Sequence, residues 1–193
     1  MDYLIYNLSA QPVTAADCQL LPPEEQAQAS ARGSRYVLVR SLLRQELARR
    51  CSLAPQEIHF QYGPQGKPEF PLQPFNLSHS GDCLCLAFHH LPVGVDVERM
   101  RPRRALDQLA ARFMCPEQLQ GFLSRGCPLE EFYACWCAAE ALVKHAGDTM
   151  WHARRYPFRY DRGHIKCLFD AAPSLRLFIP MPGYCGAVAF TLT

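Results

Sequence analysis

Two acids on a predicted strand and a glutamate–lysine pair on a predicted helix are the residues whose spacing suggests chemistry. Asp96 and Glu98 are two positions apart, so their side chains share one face of the strand. Glu140 and Lys144 are four positions apart and share one helix stripe, about 6 Å apart along the axis. Three carboxylates and a lysine suit Mg²⁺ and a phosphate, because Mg²⁺ prefers oxygen ligands and an ammonium group is a compact charge. Taken singly, each pair also fits a solvated strand face or a simple helical ion pair.

A Ser-His step precedes a predicted tight turn. Ser78 and His79 come directly before Ser80-Gly81-Asp82. A hydroxyl and an imidazole beside a turn are suited to hydrogen bonding with phosphate oxygens, although a structural strand end has the same pattern. A nucleophilic serine is disfavoured because no Gly-x-Ser-x-Gly elbow is present.

Composition narrows the class of protein. The 193 residues are 49% apolar and carry a net charge of +2, so a core is expected and nothing demands nucleic acid. No run reaches the roughly 18 apolar residues of a membrane span, and the acidic start does not predict a signal peptide. The ten cysteines sit mostly among apolar neighbours and lack a Cys-x-x-Cys pair. We therefore expect core cysteines in a reducing cytoplasm, without zinc, nucleic acid or membrane as partner.

The elements that must position these residues alternate between helices and short strands. Periodicity predicts an N-terminal strand, a helix opened by Pro22-Pro23 and another over 34–50, strands at 58–62, 75–78 and 83–89, and a turn over 63–68. After a boundary near residue 92 it predicts a strand over 93–98, helices near 105–113, 117–122 and 129–145, and four further strands. The chain thus predicts an α+β fold with two halves of similar kind, 1–92 and 93–193.

The combined motifs resemble the Sfp-type 4'-phosphopantetheinyl transferases. The resemblance covers about residues 57–147, in the same order and spacing as in the family. It consists of Gly66-Lys67-Pro68, Phe75-Asn76-Leu77-Ser78-His79-Ser80-Gly81-Asp82, Gly94-Val95-Asp96-Val97-Glu98, and Phe132-Tyr133 to Trp136-Cys137-Ala138-Ala139-Glu140-Ala141-Leu142-Val143-Lys144.

The resemblance implies both a fold and a reaction. It implies two similar halves in a pseudo-twofold arrangement, with coenzyme A between them. It further implies that the serine of an apo acyl carrier protein attacks the β-phosphate of coenzyme A, so that phosphopantetheine is transferred and 3',5'-ADP leaves. On this pattern Asp96, Glu98 and Glu140 would hold Mg²⁺, Glu140 would also be the general base, and Lys144 would hold phosphate.

The same resemblance assigns residues to coenzyme A. Ser78 and His79 would contact its pyrophosphate or 3'-phosphate region, and Lys67 its adenine side. A basic residue of the first-half helix would add a further contact, for which Arg32 or Arg35 is available.

The chain departs from the family pattern at residue 139. Ala139 stands where the family usually has the lysine before the catalytic glutamate, which would remove a positive charge beside the phosphates. We expect an active enzyme that acts as a monomer, with a degenerate coenzyme A or carrier-binding module as the alternative. The arginines after Glu98 are either a solvated loop or a surface that steers an acidic carrier protein, namely Arg99, Arg101, Arg103 and Arg104.

Overall fold

The computed structural model describes residues 1–63 and 66–192 and combines helices with small sheets in an α+β fold. The α-helices are α1 (Ala15–Gln19), α2 (Pro23–Arg32), α3 (Ser34–Cys51), α4 (Leu106–Ala110), α5 (Pro116–Ser124) and α6 (Leu129–Ala146). The strands are β1 (Asp2–Asn7), β2 (Gln61–Tyr62), β3 (Pro68–Glu69), β4 (Phe75–Ser80), β5 (Cys83–Phe88), β6 (Val93–Arg99), β7 (Phe158–Asp161), β8 (His164–Cys167), β9 (Ser174–Phe178) and β10 (Tyr184–Phe190). Short 3-10 helices span Leu8–Ala10, Pro55–Glu57 and Met150–Arg155.

One order of elements occurs twice along the chain. The three-stranded sheets are ordered β1-β5-β4 and β6-β10-β9. In each sheet the strand that comes last in the chain lies in the middle, between the strand that comes first and the strand that precedes it in the chain. Between these strands, each half contains an 18-residue helix, α3 or α6, and a two-stranded sheet, β2-β3 or β7-β8. The similarity in kind that the sequence predicted for the two halves therefore extends to the strand order.

Helix α6 packs tightly against β6 and β10, because small residues line the contact. A Cβ atom built on Gly94 would lie 2.0 Å from the carbonyl oxygen of Ala141 and 2.4 Å from the backbone nitrogen of His145. Only glycine permits backbones to approach this closely. Ala187 and Ala189 of β10 belong to the buried apolar cluster on the other side of the contact. The close packing brings the polar residues of β6 next to those of α6.

The chain divides into two compact units, one formed by residues 1–5 with 75–193 and the other by residues 6–74. This division differs from the expected halves, 1–92 and 93–193. The reason is that the hairpin of β4 and β5 packs against β6, so these strands join the unit that contains α6.

The smaller unit contains a buried ionic network between its two longer helices. Glu25 of α2 pairs with Arg40 and Arg44 of α3, at 2.8 and 3.1 Å, and all three residues are buried. Arg44 Nη1 also donates hydrogen bonds to the carbonyl oxygens of Pro55 and Ile58. These bonds compensate for the cost of burying the charges.

The local structure differs from the expectations at several places, and one expectation falls partly outside the described residues. The strand predicted over 58–62 is limited to Gln61–Tyr62, because buried Ile58 follows a 3-10 helix instead of pairing. The predicted turn over 63–68 includes residues 64 and 65, which lie outside the described residues. Helix α1 and the 3-10 helix Met150–Arg155 were not expected. In the described part of the chain, every helix is too short or too polar to cross a lipid bilayer.

Candidate active site

Asp96 is the centre of a polar cluster that joins β4, β6 and α6. The hydroxyl of Ser78 on β4 donates to Asp96 Oδ1 at 2.8 Å. The ammonium group of Lys144 on α6 donates to the same oxygen at 2.7 Å. Asp96 is only 4% exposed, and these two donors hold its carboxylate in one orientation.

Lys144 lies at the C-terminal end of the helix stripe that the sequence predicted. Between residues 131 and 144 of α6, the half-buried positions are Trp136, Glu140 and Lys144, and their neighbours are buried. Lys144 also donates to the carbonyl oxygen of Val95 at 3.2 Å and lies 4.0 Å from Glu140 Oε2. Burial lowers the pKa of Lys144, but the Asp96 carboxylate outweighs this and raises the pKa above its ordinary value.

Glu98 is the second acid on the strand face. The Ser80 hydroxyl donates to Glu98 Oε2 at 2.7 Å and accepts the backbone N–H of Arg99 at 3.2 Å. Burial raises the pKa of Glu98, and the negative charge of Asp96 raises it further. The Glu98 carboxylate therefore lies in a negative, partly desolvated environment.

Glu140 completes the set of acids from the helix side. Burial raises its pKa, and the charges of Asp96 and Glu98 add to this effect, while Lys144 opposes it. A carboxylate whose pKa is raised in this way accepts a proton more readily than an exposed glutamate. Its environment therefore suits a general base or a cation ligand.

The donor set fits a hard cation. The three carboxylates supply oxygen ligands, and the second oxygen of Asp96, Oδ2, is buried without a hydrogen-bond partner among the described residues. A cation at Oδ2 would satisfy this atom and offset the repulsion that raises the pKa of Glu98 and Glu140. The carboxylates do not form a preassembled cage, since no group of three metal-ligating side chains was found among residues 1–63 and 66–192. Binding of a cation thus requires these side chains to approach each other.

Ser78 and His79 point to opposite faces of β4. Ser78 is buried and bonded to Asp96, whereas His79 is exposed. In this conformation Ser78 orients an acid, and its predicted contact with phosphate stays a prediction, as does that of His79. Asn76, two positions earlier on the same face, accepts the backbone N–H of Val95 through its side-chain oxygen at 2.9 Å. Sequence reasoning did not assign roles to Asn76 and Ser80, although the period-two alternation with Ser78 marks both.

Ala139 lies in the apolar core, whereas the sequence led us to expect it beside the charged groups of the candidate site. Ala139 is 1% exposed and belongs to the buried apolar cluster that includes Leu142 and Ala187. Its methyl group therefore faces the core and not the Asp96–Lys144 pair.

The residues predicted to bind the nucleotide end of coenzyme A lie in the smaller unit. Arg32, at the end of α2, has its guanidinium carbon 5.0 Å from the ring centre of Tyr36. It lines a cavity of about 410 Å³ that also contains Arg40, His59 and Gly66, the residue before Lys67. Arg35, the other basic candidate, is exposed, and Lys67 is half-buried. Arg40 is already paired with Glu25, another residue of the lining, so Arg32 and the aromatic walls are the features that suit a phosphorylated aromatic ligand.

The larger unit contains the whole segment that matches a known family model. Residues 92–183 match the 4'-phosphopantetheinyl transferase superfamily. The chain is 37% identical over 155 residues to the 4'-phosphopantetheinyl transferase AcpT of Escherichia coli, with 76% of each chain aligned. It is 36% identical to a putative 4'-phosphopantetheinyl transferase of Synechocystis and 32% identical to Sfp of Bacillus subtilis, in each case over 58% of this chain. The chain spans about half the length of these last two relatives, 49% of each.

Proposed function

Because the chain belongs to the 4'-phosphopantetheinyl transferase superfamily, we propose that it transfers phosphopantetheine from coenzyme A to a serine of an apo acyl carrier protein. The serine oxygen forms a bond to the β-phosphorus, and the bond from this phosphorus to the bridging oxygen breaks. The leaving group is 3',5'-ADP, and the serine proton passes to the protein. The observation that carries the proposal is the cluster of Ser78, Asp96 and Lys144, with Glu98 and Glu140 beside it.

Glu140 is the proposed base for the serine proton. Burial and two neighbouring acids raise its pKa towards neutral pH, so the carboxylate accepts a proton more readily. Lys144, held at Asp96, supplies a fixed positive charge that would attract the phosphates. The hydrogen bond from Ser78 fixes the orientation of the Asp96 carboxylate without the help of a water molecule.

Asp96, Glu98 and Glu140 would hold Mg²⁺, which supplies charge neutralisation for the pyrophosphate when it is bound. The unpartnered Asp96 Oδ2 supports this assignment, because a cation there leaves the bonds of Oδ1 intact. Oxygen-only donors also favour Mg²⁺ over softer metals.

The residues that we assign to coenzyme A all belong to the first half of the sequence, 1–92. We assign His79 and Ser78 to the phosphate region, and Lys67 to the adenine side. Arg32 lines a cavity with basic and aromatic walls, which supports its assignment to the nucleotide end. The repeated strand order supports a further proposal, that the two halves are related by a pseudo-twofold axis.

The proposed setting is a monomeric enzyme of the cytoplasm whose protein partner is an acidic acyl carrier protein. Burial of Ala139 in the core supports the enzyme over a non-catalytic binding module, because this departure from the family pattern leaves the carboxylates and Lys144 in place.

The proposal is tested by mass spectrometry of an apo carrier protein incubated with the protein, coenzyme A and Mg²⁺. We expect the carrier to gain one phosphopantetheine group, and we expect Asp96→Ala and Glu140→Gln to abolish this gain. Glu130→Gln, at an exposed position of the same helix, is the matched control and should retain activity. Wild-type protein that binds coenzyme A but modifies none of several carriers would indicate the binding module instead.

A further inference from the structure

Tyr133 of α6 forms three hydrogen bonds with the arginine-rich segment that follows β6. Its hydroxyl donates to the carbonyl oxygen of Arg101 at 3.0 Å and accepts the backbone N–H of Arg101 at 3.2 Å. It also accepts a hydrogen bond from Arg103 Nε at 3.1 Å. A phenol hydroxyl donates one hydrogen bond and accepts two at most, so these three bonds use its full capacity. Tyr133 is 1% exposed, and its ring is fixed in the apolar core.

The arrangement joins the two elements that contain the proposed metal ligands. Tyr133 lies two helical turns before Glu140, about 10 Å along the axis of α6. The segment that it holds begins directly after β6, which contains Asp96 and Glu98. Tyr133 thus fixes a surface segment relative to the site from a position inside the core.

The segment presents exposed arginines, and the charge of one of them, Arg103, acts on Glu98 and opposes the rise in the pKa of that carboxyl. Three exposed arginines lie there and a fourth ends β6, and none forms an ion pair with an acid among the described residues: Arg101, Arg103 and Arg104, with Arg99. The guanidinium carbon of Arg103 lies 5.8 Å from the ring centre of Tyr133. With its Nε bonded to Tyr133, the terminal amino groups of Arg103 remain available to a partner. Unpaired exposed arginines suit an anionic macromolecule.

A buried tyrosine needs one partner to satisfy its hydroxyl, and the main chain of Arg101 already provides two bonds. The bond to the side chain of Arg103 is therefore additional to what folding requires. It fixes one edge of a long, flexible side chain, which reduces the entropy lost when that side chain binds a partner.

We propose that Tyr133 is a positioning residue for recognition of the carrier protein, which holds Arg103 in place for acidic groups of that carrier. This inference rests on the proposed function, since the carrier is the acidic partner. It predicts that the hydroxyl of Tyr133 affects carrier affinity only through Arg103, and does not affect coenzyme A.

The test is a double-mutant cycle with Tyr133→Phe and Arg103→Ala, measured with saturating coenzyme A and varied apo carrier. Each single variant should raise KM for the carrier up to about fivefold, with KM for coenzyme A unchanged, as expected for the loss of one exposed ion pair. The double variant should resemble Arg103→Ala alone, because the two residues act in series. Tyr156→Phe removes another phenol hydrogen bond, to Asp148, and should leave KM for the carrier unchanged.

Two results would overturn the inference. One is additive effects of the two substitutions on KM for the carrier, and the other is a rise in KM for coenzyme A, which would assign Arg103 to a substrate phosphate. If Tyr133→Phe does not fold, a KM for the carrier in Arg103→Ala equal to that of the wild type is a further overturning result.

Direct binding of the apo carrier separates this inference from the proposed function. If the wild-type protein binds the carrier without modifying it, the proposed function fails, and the same cycle is then measured on Kd. Hydrogen exchange provides a readout without carrier: Tyr133→Phe should increase exchange of the Arg101 amide, and unchanged exchange would refute the positioning role.

Discussion

Substitution of Gly94 by alanine tests the close contact on which the candidate site depends. The new methyl group would lie 2.0 Å from the carbonyl oxygen of Ala141 and 2.4 Å from the backbone nitrogen of His145. Both are backbone atoms of α6 and cannot rotate away, so β6 and α6 must separate by about 1.5 Å to restore normal contacts near 3.5 Å. The same movement would lengthen the 2.7 Å bond between Lys144 and Asp96 beyond hydrogen-bonding distance.

The expected cost of Gly94→Ala follows from this overlap. Overpacking a core costs about 1–3 kcal/mol, and at this size each kcal/mol lowers Tm by about 2–4 °C. Because the overlap involves rigid atoms, we take the upper value of about 3 kcal/mol, which lowers Tm by about 6–12 °C. We also expect a loss of transferase activity. Differential scanning calorimetry measures the first effect and carrier mass spectrometry the second.

Gly121→Ala is the matched control for the Gly94 substitution. Gly121 lies in α5, and a Cβ atom there would approach only the side chain of Arg125, at 3.2 Å. This flexible side chain can move, and alanine favours a helix over glycine by up to about 1 kcal/mol. Tm should stay the same or rise slightly. A Gly94→Ala protein with wild-type Tm and activity would show that β6 and α6 are not held at this distance.

Three further predictions follow from the same residues. Ser78→Ala removes a donor from the Asp96 carboxylate and should weaken Mg²⁺ activation about tenfold or more, measured as the Mg²⁺ concentration for half-maximal rate; an unchanged value would exclude the orienting role. Ala139→Lys buries a charge in the apolar core and should lower Tm by about 5 °C or more, and faster turnover at unchanged Tm would contradict the observed burial. The pKa values of Glu98 and Glu140 are raised, so the folded state binds these protons more tightly than the unfolded state and both groups reduce stability as pH rises. Mg²⁺ should therefore raise Tm more at pH 7 than at pH 5, and an equal shift at both would argue against these ligands.

Local patterns were sufficient to predict most elements and to mark the polar residues that meet at the candidate site. Period-two alternation predicted the strand that contains Asp96 and Glu98, and helical spacing predicted the stripe of Glu140 and Lys144. These features depend on neighbours a few positions apart, which is why the sequence reveals them. The motifs also indicated the family, which the relatives confirm.

Tertiary structure decided how these residues are paired. Ser78 bonds to an acid 18 positions away, and Lys144 bonds to the same acid 48 positions away. No local pattern contains these distances, because they result from packing of β4 and α6 against β6. The same packing explains why the hydroxyl of Ser78 orients Asp96, a contact that the strand pattern does not reveal.

The sequence by itself determined which side chains are available: three carboxylates, a lysine and an alanine at position 139. Only the tertiary structure decided that Ala139 faces the core and that the hydroxyl of Tyr133 reaches Arg103, 30 positions away. The physical reason is that the rotation of a helix about its axis is set by the surface it packs against. On α6, the contact with β6 and β10 directs Ala139 inward and leaves Glu140 and Lys144 beside Asp96.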